Sequence, residues 1–177
     1  MSTIIIGGII GGVILFVWQF MSWTFLEVHA KEFTYTSKQQ EILECLAENL
    51  ETGEFMVPGV PSGTSSEERR RLGQEMNGKP WAIVKYRSSF NPNMPLNMIR
   101  GLSVNVLSVL LLCWIFGKIP NPEFLEILLS SMAVGIVAYL NISYIESVWF
   151  KTSSIGYLID AVVSWALVGA FLGWWMC

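Results

Sequence analysis

Four long apolar stretches govern what this chain can fold into. They cover residues 4–26, 98–118, 124–146 and 155–176, and crossing the hydrocarbon core of a bilayer takes about 20 apolar residues of helix. The first runs without a charge from Ile4 to Leu26. In the others the charges sit toward the ends: Arg100 and Lys118 bound the second, Glu126 and Glu146 the third, and Asp160 lies about one turn inside the fourth. Charge is scarce and clustered. Charged residues make up 14% of the chain against 53% hydrophobic, and 19 of the 25 charged side chains fall between Glu27 and Arg100. A soluble domain carries roughly 25% charge, and disorder requires low hydrophobicity. The expected class is an all-α membrane bundle of four transmembrane helices, with a small α/β extramembrane insert over 27–97 between the first and second.

The first stretch lacks the basic start of a signal peptide, and its apolar run exceeds the roughly 7–15 residues of an ordinary h-region. It reads as a retained transmembrane helix. Within the insert, Ser37 followed by Gln40 has the form of a capping box. Ile42, Leu43, Leu46 and Leu50 then recur at helical spacing until Gly53. Residues 54–57 and 81–87 read as strands, and 66–76 as a second helix, so the insert is an αβαβ cap.

Several function classes have no support. The net charge is −3, without the basic stripe that nucleic acid requires. The run Arg69, Arg70, Arg71 follows Glu67 and Glu68 and reads as a solvated helix face. Cys45, Cys113 and Cys177 lie in three different segments, which leaves no disulfide framework and no metal-ligand spacing. GxSxG, HExxH, Walker and CxxC signatures are absent, and one histidine offers a nucleophile–base site no second candidate. The sequence assigns no catalytic residue, no cofactor and no metal.

Two constellations stand out. Gly7, Gly8, Gly11 and Gly12 in the first span form overlapping GxxxG pairs, and Gly169 and Gly173 in the fourth form another. Glycine lets helix backbones approach closely where lipid supplies no hydrophobic drive for association. These residues therefore mark an interface, within the bundle or to a partner chain. The second constellation appears when the spans are threaded in alternation. Polar residues then gather at the insert-side end: Glu27 and His29 after the first span, Arg100 at the start of the second, Asn141 and Glu146 at the end of the third, and Asp160 in the fourth. An unpaired carboxylate inside a span is costly. Arg100 is the cation at comparable depth, so the expected partner of Asp160 is Arg100, directly or through Asn141. The cluster admits three readings. It is a metal or proton site built from Glu27, His29, Glu146 and Asp160, or a cavity for a headgroup or small ligand, or a structural cluster that fixes helix register. Trp18, Trp23, Tyr144, Trp149, Trp174 and Trp175 fall near span ends, as an interfacial aromatic belt does.

Phe16-Val17-Trp18, Ser22-Trp23, Leu26 and His29 follow the glycine-rich opening. Phe55-Met56-Val57-Pro58-Gly59-Val60-Pro61, Met94-Pro95, Leu158-Ile159-Asp160 and Trp165 come later. In these segments the chain resembles a family of uncharacterised four-span bacterial inner-membrane proteins with a small insert after a glycine-rich first helix. Members tend to carry a proline shortly before the histidine, where Glu27-Val28 stands here. The resemblance implies cytoplasmic termini and an extracytoplasmic insert. The flanking charges point the other way, with Lys31, Arg100 and Lys151 on the insert side and Lys118 opposite; the expectation follows the resemblance. The expected role is a non-enzymatic accessory or scaffolding subunit of a membrane complex, with lipids and other membrane subunits as partners. The alternative is a small-ligand or lipid-binding protein, or a minor transporter, using the polar cluster.

Overall fold

The isoleucine-rich, glycine-containing start of this chain would be a poor helix in water, because β-branched residues and glycine both disfavour one. Hydrocarbon reverses that preference, since every backbone N–H and C=O must be satisfied within the segment. The computed structural model describes residues 1–177, and its first span is helix α1 (Ser2–Thr24). Helix α4 (Met94–Phe116) forms the second span. Its start is set locally: the Asn93 side chain accepts from the Leu96 N–H at 3.2 Å, and Pro95 occupies the first turn, where no N–H is needed.

The third span begins with α5 (Phe124–Tyr139), continues through a π-helical turn (Leu140–Tyr144) and ends in α6 (Ile145–Phe150). It therefore runs a turn beyond residue 146. Glu126, a charge inside an otherwise apolar run, caps this helix by accepting from the Glu123 N–H at 3.1 Å. Lys151, in the left-handed region at φ 53°, terminates it. Helix α7 (Ile155–Met176) is the fourth span. All four are long and apolar enough to cross a membrane, and the protein is an integral membrane protein of the all-α bundle class.

Between α1 and α4 lie α2 (Gln39–Asn49), β1 (Gly53–Val57), α3 (Ser66–Glu75) and β2 (Ala82–Tyr86). The two strands pair antiparallel, from Gly53 opposite Tyr86 to Val57 opposite Ala82. Residues 35–92 form one compact unit, and residues 1–34 and 93–177 form the other. Residues 27–34 thus belong with the helices and not with the insert. Helix α2 also starts later than the Ser37 motif implies: Lys38 is its N-cap and no side chain caps it. A formed cap appears instead on α3, where Ser65 accepts from the Glu68 N–H.

The helices pack in the order α4, α1, α7, α5, with α1 touching both α4 and α7, and α7 touching both α1 and α5. Glycine sets this order. A Cβ on Gly12 would stand 2.5 Å from the Val106 Cα, and one on Gly8 would collide with Leu110, so that pair of glycines lies against α4. Gly7 and Gly11 sit where α1 meets α4 and α7 together, facing Cys113, Val109 and Leu172. On the far side, Gly169 and Gly173 take the backbone of α5 at Leu128 and Phe124. All six predicted packing glycines are used inside the chain. They surround a core of Leu15, Val109, Leu112, Cys113, Phe116, Ile127, Val168 and Leu172.

The outer face is apolar as well. Ile5, Ile9, Val13 and Val17 of α1, Leu107, Leu111 and Trp114 of α4, and Leu125, Leu129 and Val137 of α5 are all exposed. A water-soluble monomer rarely shows contiguous apolar patches above a few hundred Å², whereas acyl chains solvate such a surface. Gly12→Leu and Gly169→Leu are each expected to lower stability by about 1–3 kcal/mol, the usual scale of overpacking, in thermal unfolding of the purified protein. The outward-facing Ile9→Leu is expected to leave the transition unchanged.

Candidate functional site

Helix α1 stops on its own geometry. The Phe25 and Leu26 N–H groups both bond to the Met21 carbonyl, and Glu27 then takes a left-handed conformation at φ 49°. Such a residue ends a helix and turns the chain. Two further turns follow, with the Ala30 N–H on the Glu27 carbonyl and the Glu32 N–H on the His29 carbonyl, both at 3.0 Å. The loop so formed lays His29 and Glu32 over the first turn of α7. There Gly156 makes room: a Cβ on it would fall 2.6 Å from Glu32 Oε1 and 2.7 Å from His29 Nδ1.

The result is a line of three side chains. His29 Nε2 lies 2.9 Å from Asp160 Oδ2, and His29 Nδ1 lies 2.7 Å from Glu32 Oε1. The His29 and Glu32 side chains are 4% and 7% exposed, and that of Asp160 is 15% exposed. The other oxygen of Asp160 accepts from Trp18 Nε1 at 2.9 Å and from the Ser22 hydroxyl at 2.5 Å. Trp18 and Ser22 are four residues apart and share one face of α1. The face that carries the packing glycines therefore ends in two donors aimed at the same carboxylate. Trp23 stacks flat on the imidazole, with centroids 3.9 Å apart and planes within 9°, and Tyr157 meets it edge-on at 5.1 Å. Glu32 Oε2 is buried and has no hydrogen-bond partner.

Several sequence expectations change here. Asp160 does need a partner, but the partner is not Arg100. That arginine is exposed and forms no salt bridge, because its helix α4 packs mainly against α1. Asn141 does not bridge: it is exposed and donates to the Val137 carbonyl of its own helix at 2.9 Å. Glu146 and Glu27 are exposed, and Glu27 serves the turn rather than the cluster. Of the six predicted cluster residues the structure joins two, His29 and Asp160. Arg100, Asn141 and Asp160 share no hydrogen bond or salt bridge with one another. Trp18 and Trp23, expected in an interfacial belt, also contact the histidine–aspartate centre.

Glu32 was missed. Its sequence signal is the i, i+3 spacing from His29, which counts only once the segment is known to coil tightly. A second polar contact joins α1 to α4, where Asn105 Nδ2 donates to Gln19 Oε1 at 2.8 Å.

The arrangement does not suit a metal ion. A metal takes the lone pair of a neutral imidazole nitrogen, and both nitrogens of His29 already face carboxylate oxygens. The carboxylates stand on opposite sides of the ring and do not converge on a common point. No family model matches the chain, and neither a curated protein nor a solved structure matches it.

Removing one partner from a buried ionic pair costs about 3–5 kcal/mol, and Asp160→Leu is expected to destabilise on that scale. Replacing Arg100 by leucine as well is expected to give no rescue. Gly156→Ala should act in the same direction by pushing His29 and Glu32 off α7, while Glu27→Gly, which suits a left-handed residue, should be neutral or stabilising. Thermal unfolding of the set checks all four.

Proposed function

We propose that this protein is a non-enzymatic accessory or scaffolding subunit of a membrane complex, anchored by its bundle and working through its insert. One contrast carries this reading. The bundle consumes its own association groups: its packing glycines meet its own backbones, and Asp160 and Asn105 find their partners inside the chain. The insert consumes none. No side chain between Tyr35 and Pro92 is buried, and Ile42, Leu43, Met56, Val57, Trp81 and Ile83 are exposed. A segment that buries so little of its own apolar surface gains by association.

The proposed setting is a bacterial inner membrane with the insert on the extracytoplasmic side, as the resemblance of the spans implies. Lipids are the partners of the helices, and other membrane-protein subunits are the partners of the insert. The polar centre is not read as an active site, because its one serine, Ser22, is fully buried and donates to Asp160, and both nitrogens of His29 face carboxylates.

A photoreactive residue placed at Leu43 or Ile83 in native membranes is expected to give discrete protein adducts. One placed at Leu111 or Leu129, on the lipid-facing helices, is expected to give lipid adducts. Lipid adducts alone at all four positions would remove the subunit reading. Reporter fusions to the insert test its side of the membrane, and activity of a cytoplasm-only reporter there would reverse the orientation.

A further inference from the structure

We infer that the Asp160–His29–Glu32 line is a binding site for one exchangeable proton, and that this proton holds the loop of residues 25–34 on α7. The inference rests on hydrogen-bond accounting and goes beyond the scaffold role. A neutral imidazole has one N–H and one lone pair. His29 makes two short contacts to carboxylate oxygens, at 2.7 and 2.9 Å. With both carboxylates ionised and the imidazole neutral, either tautomer leaves one of these contacts lone pair against lone pair. One added proton removes the conflict. It resides on the imidazole, which then donates to both carboxylates, or on one of the acids, which then donates to the ring.

The two ends of the line are not equivalent. Asp160 keeps the Trp18 and Ser22 donors whatever the ring does. Glu32 holds fewer: Oε2 is without a partner, its side chain is only 7% exposed, and the Tyr157 hydroxyl beside it is its one further donor. When the proton leaves, either tautomer sets one carboxylate against a lone pair. Asp160 is fixed on α7 by Trp18 and Ser22, so Glu32, carried by the loop, is the one that can leave, and its departure leaves Nε2–H on Asp160. An ionised carboxylate cannot stay buried on those terms. The loop then swings Glu32 to water and keeps only His29 on Asp160.

The other charged and titratable neighbours are few. Tyr157 of α7 stands among Glu32, Glu146 and Asp160, while Glu146, Glu27 and Lys31 are exposed, and α1 contributes only the uncharged Trp18, Ser22 and Trp23. No buried cation is present to replace the proton.

Side-chain amides provide the test, because each replaces a shared proton by a fixed N–H. Glu32→Gln donates to Nδ1 and fixes the Nε2–H tautomer. Asp160→Asn donates to Nε2 and fixes the Nδ1–H tautomer. The chain has a single histidine, so the imidazole ¹⁵N spectrum of the full-length protein in lipid nanodiscs has one unambiguous source. In the wild type, raising the pH is expected to release the loop. The ratio of released to held loop, read from hydrogen-exchange protection factors of residues 25–34, should rise about tenfold per pH unit through the transition, the slope of one proton. The two variants are expected to show opposite tautomers and no pH-driven release. Wild-type protection that is constant with pH, or the same pH response or the same tautomer in both variants, would overturn the site.

Discussion

A carboxylate one turn inside an apolar helix is the constraint on which the insert-side half of this bundle depends. Asp160 cannot be satisfied by lipid, and burial without partners costs several kcal/mol. Trp18 and Ser22 reach it only if α1 lies directly against α7. His29 reaches it only if the chain turns back immediately after α1, which the left-handed Glu27 provides. One acidic side chain thereby ties together the end of the first span, the loop behind it and the start of the fourth span.

The opposite half of the bundle is held by shape rather than charge. Gly8 and Gly12 let α4 reach the backbone of α1, and Gly169 and Gly173 let α5 reach that of α7. Close backbone approach gains dispersion contacts that lipid cannot match. The outer surface of the spans is mostly apolar, while Ser22, His29, Asn105, Ser131 and Ser164 are buried between them. Asn105 and Gln19 add one directional contact between α1 and α4. The two devices are complementary: glycine packing brings the helices together, and the buried donors and acceptors select a single register for them.

Much of this architecture was legible in residue order. The spans follow from apolar run length, the packing faces from the spacing of Gly7, Gly8, Gly11, Gly12, Gly169 and Gly173, and the need of Asp160 for a partner from its place in an apolar helix. The identity of that partner was not legible. Arg100 is the natural choice when charge and depth alone are weighed, but those say nothing about which helices are neighbours. With α4 on the far side of α1, Arg100 is out of reach, and a histidine from a loop assigned to the insert takes its place. Glu32 looks like one more surface acid in a charged stretch until the turns at Glu27 and His29 are seen to fold it over Gly156. Trp18 and Trp23 look like interfacial anchors because tryptophan near a span end usually is one.

By itself, the sequence determined the membrane class, the number of spans, the α/β character of the insert and the presence of one carboxylate that must be answered from within the protein. Those features depend on composition and on periodicity along a single helix, which are local. Only the tertiary structure decided the order α4, α1, α7, α5 and, through it, that Asp160 meets His29, Trp18 and Ser22 rather than Arg100. Helix adjacency is set by the summed fit of many small side chains across interfaces, and residue order does not encode which of several compatible glycine faces will meet. The line of two carboxylates about one imidazole exists only because that adjacency and one left-handed turn coincide.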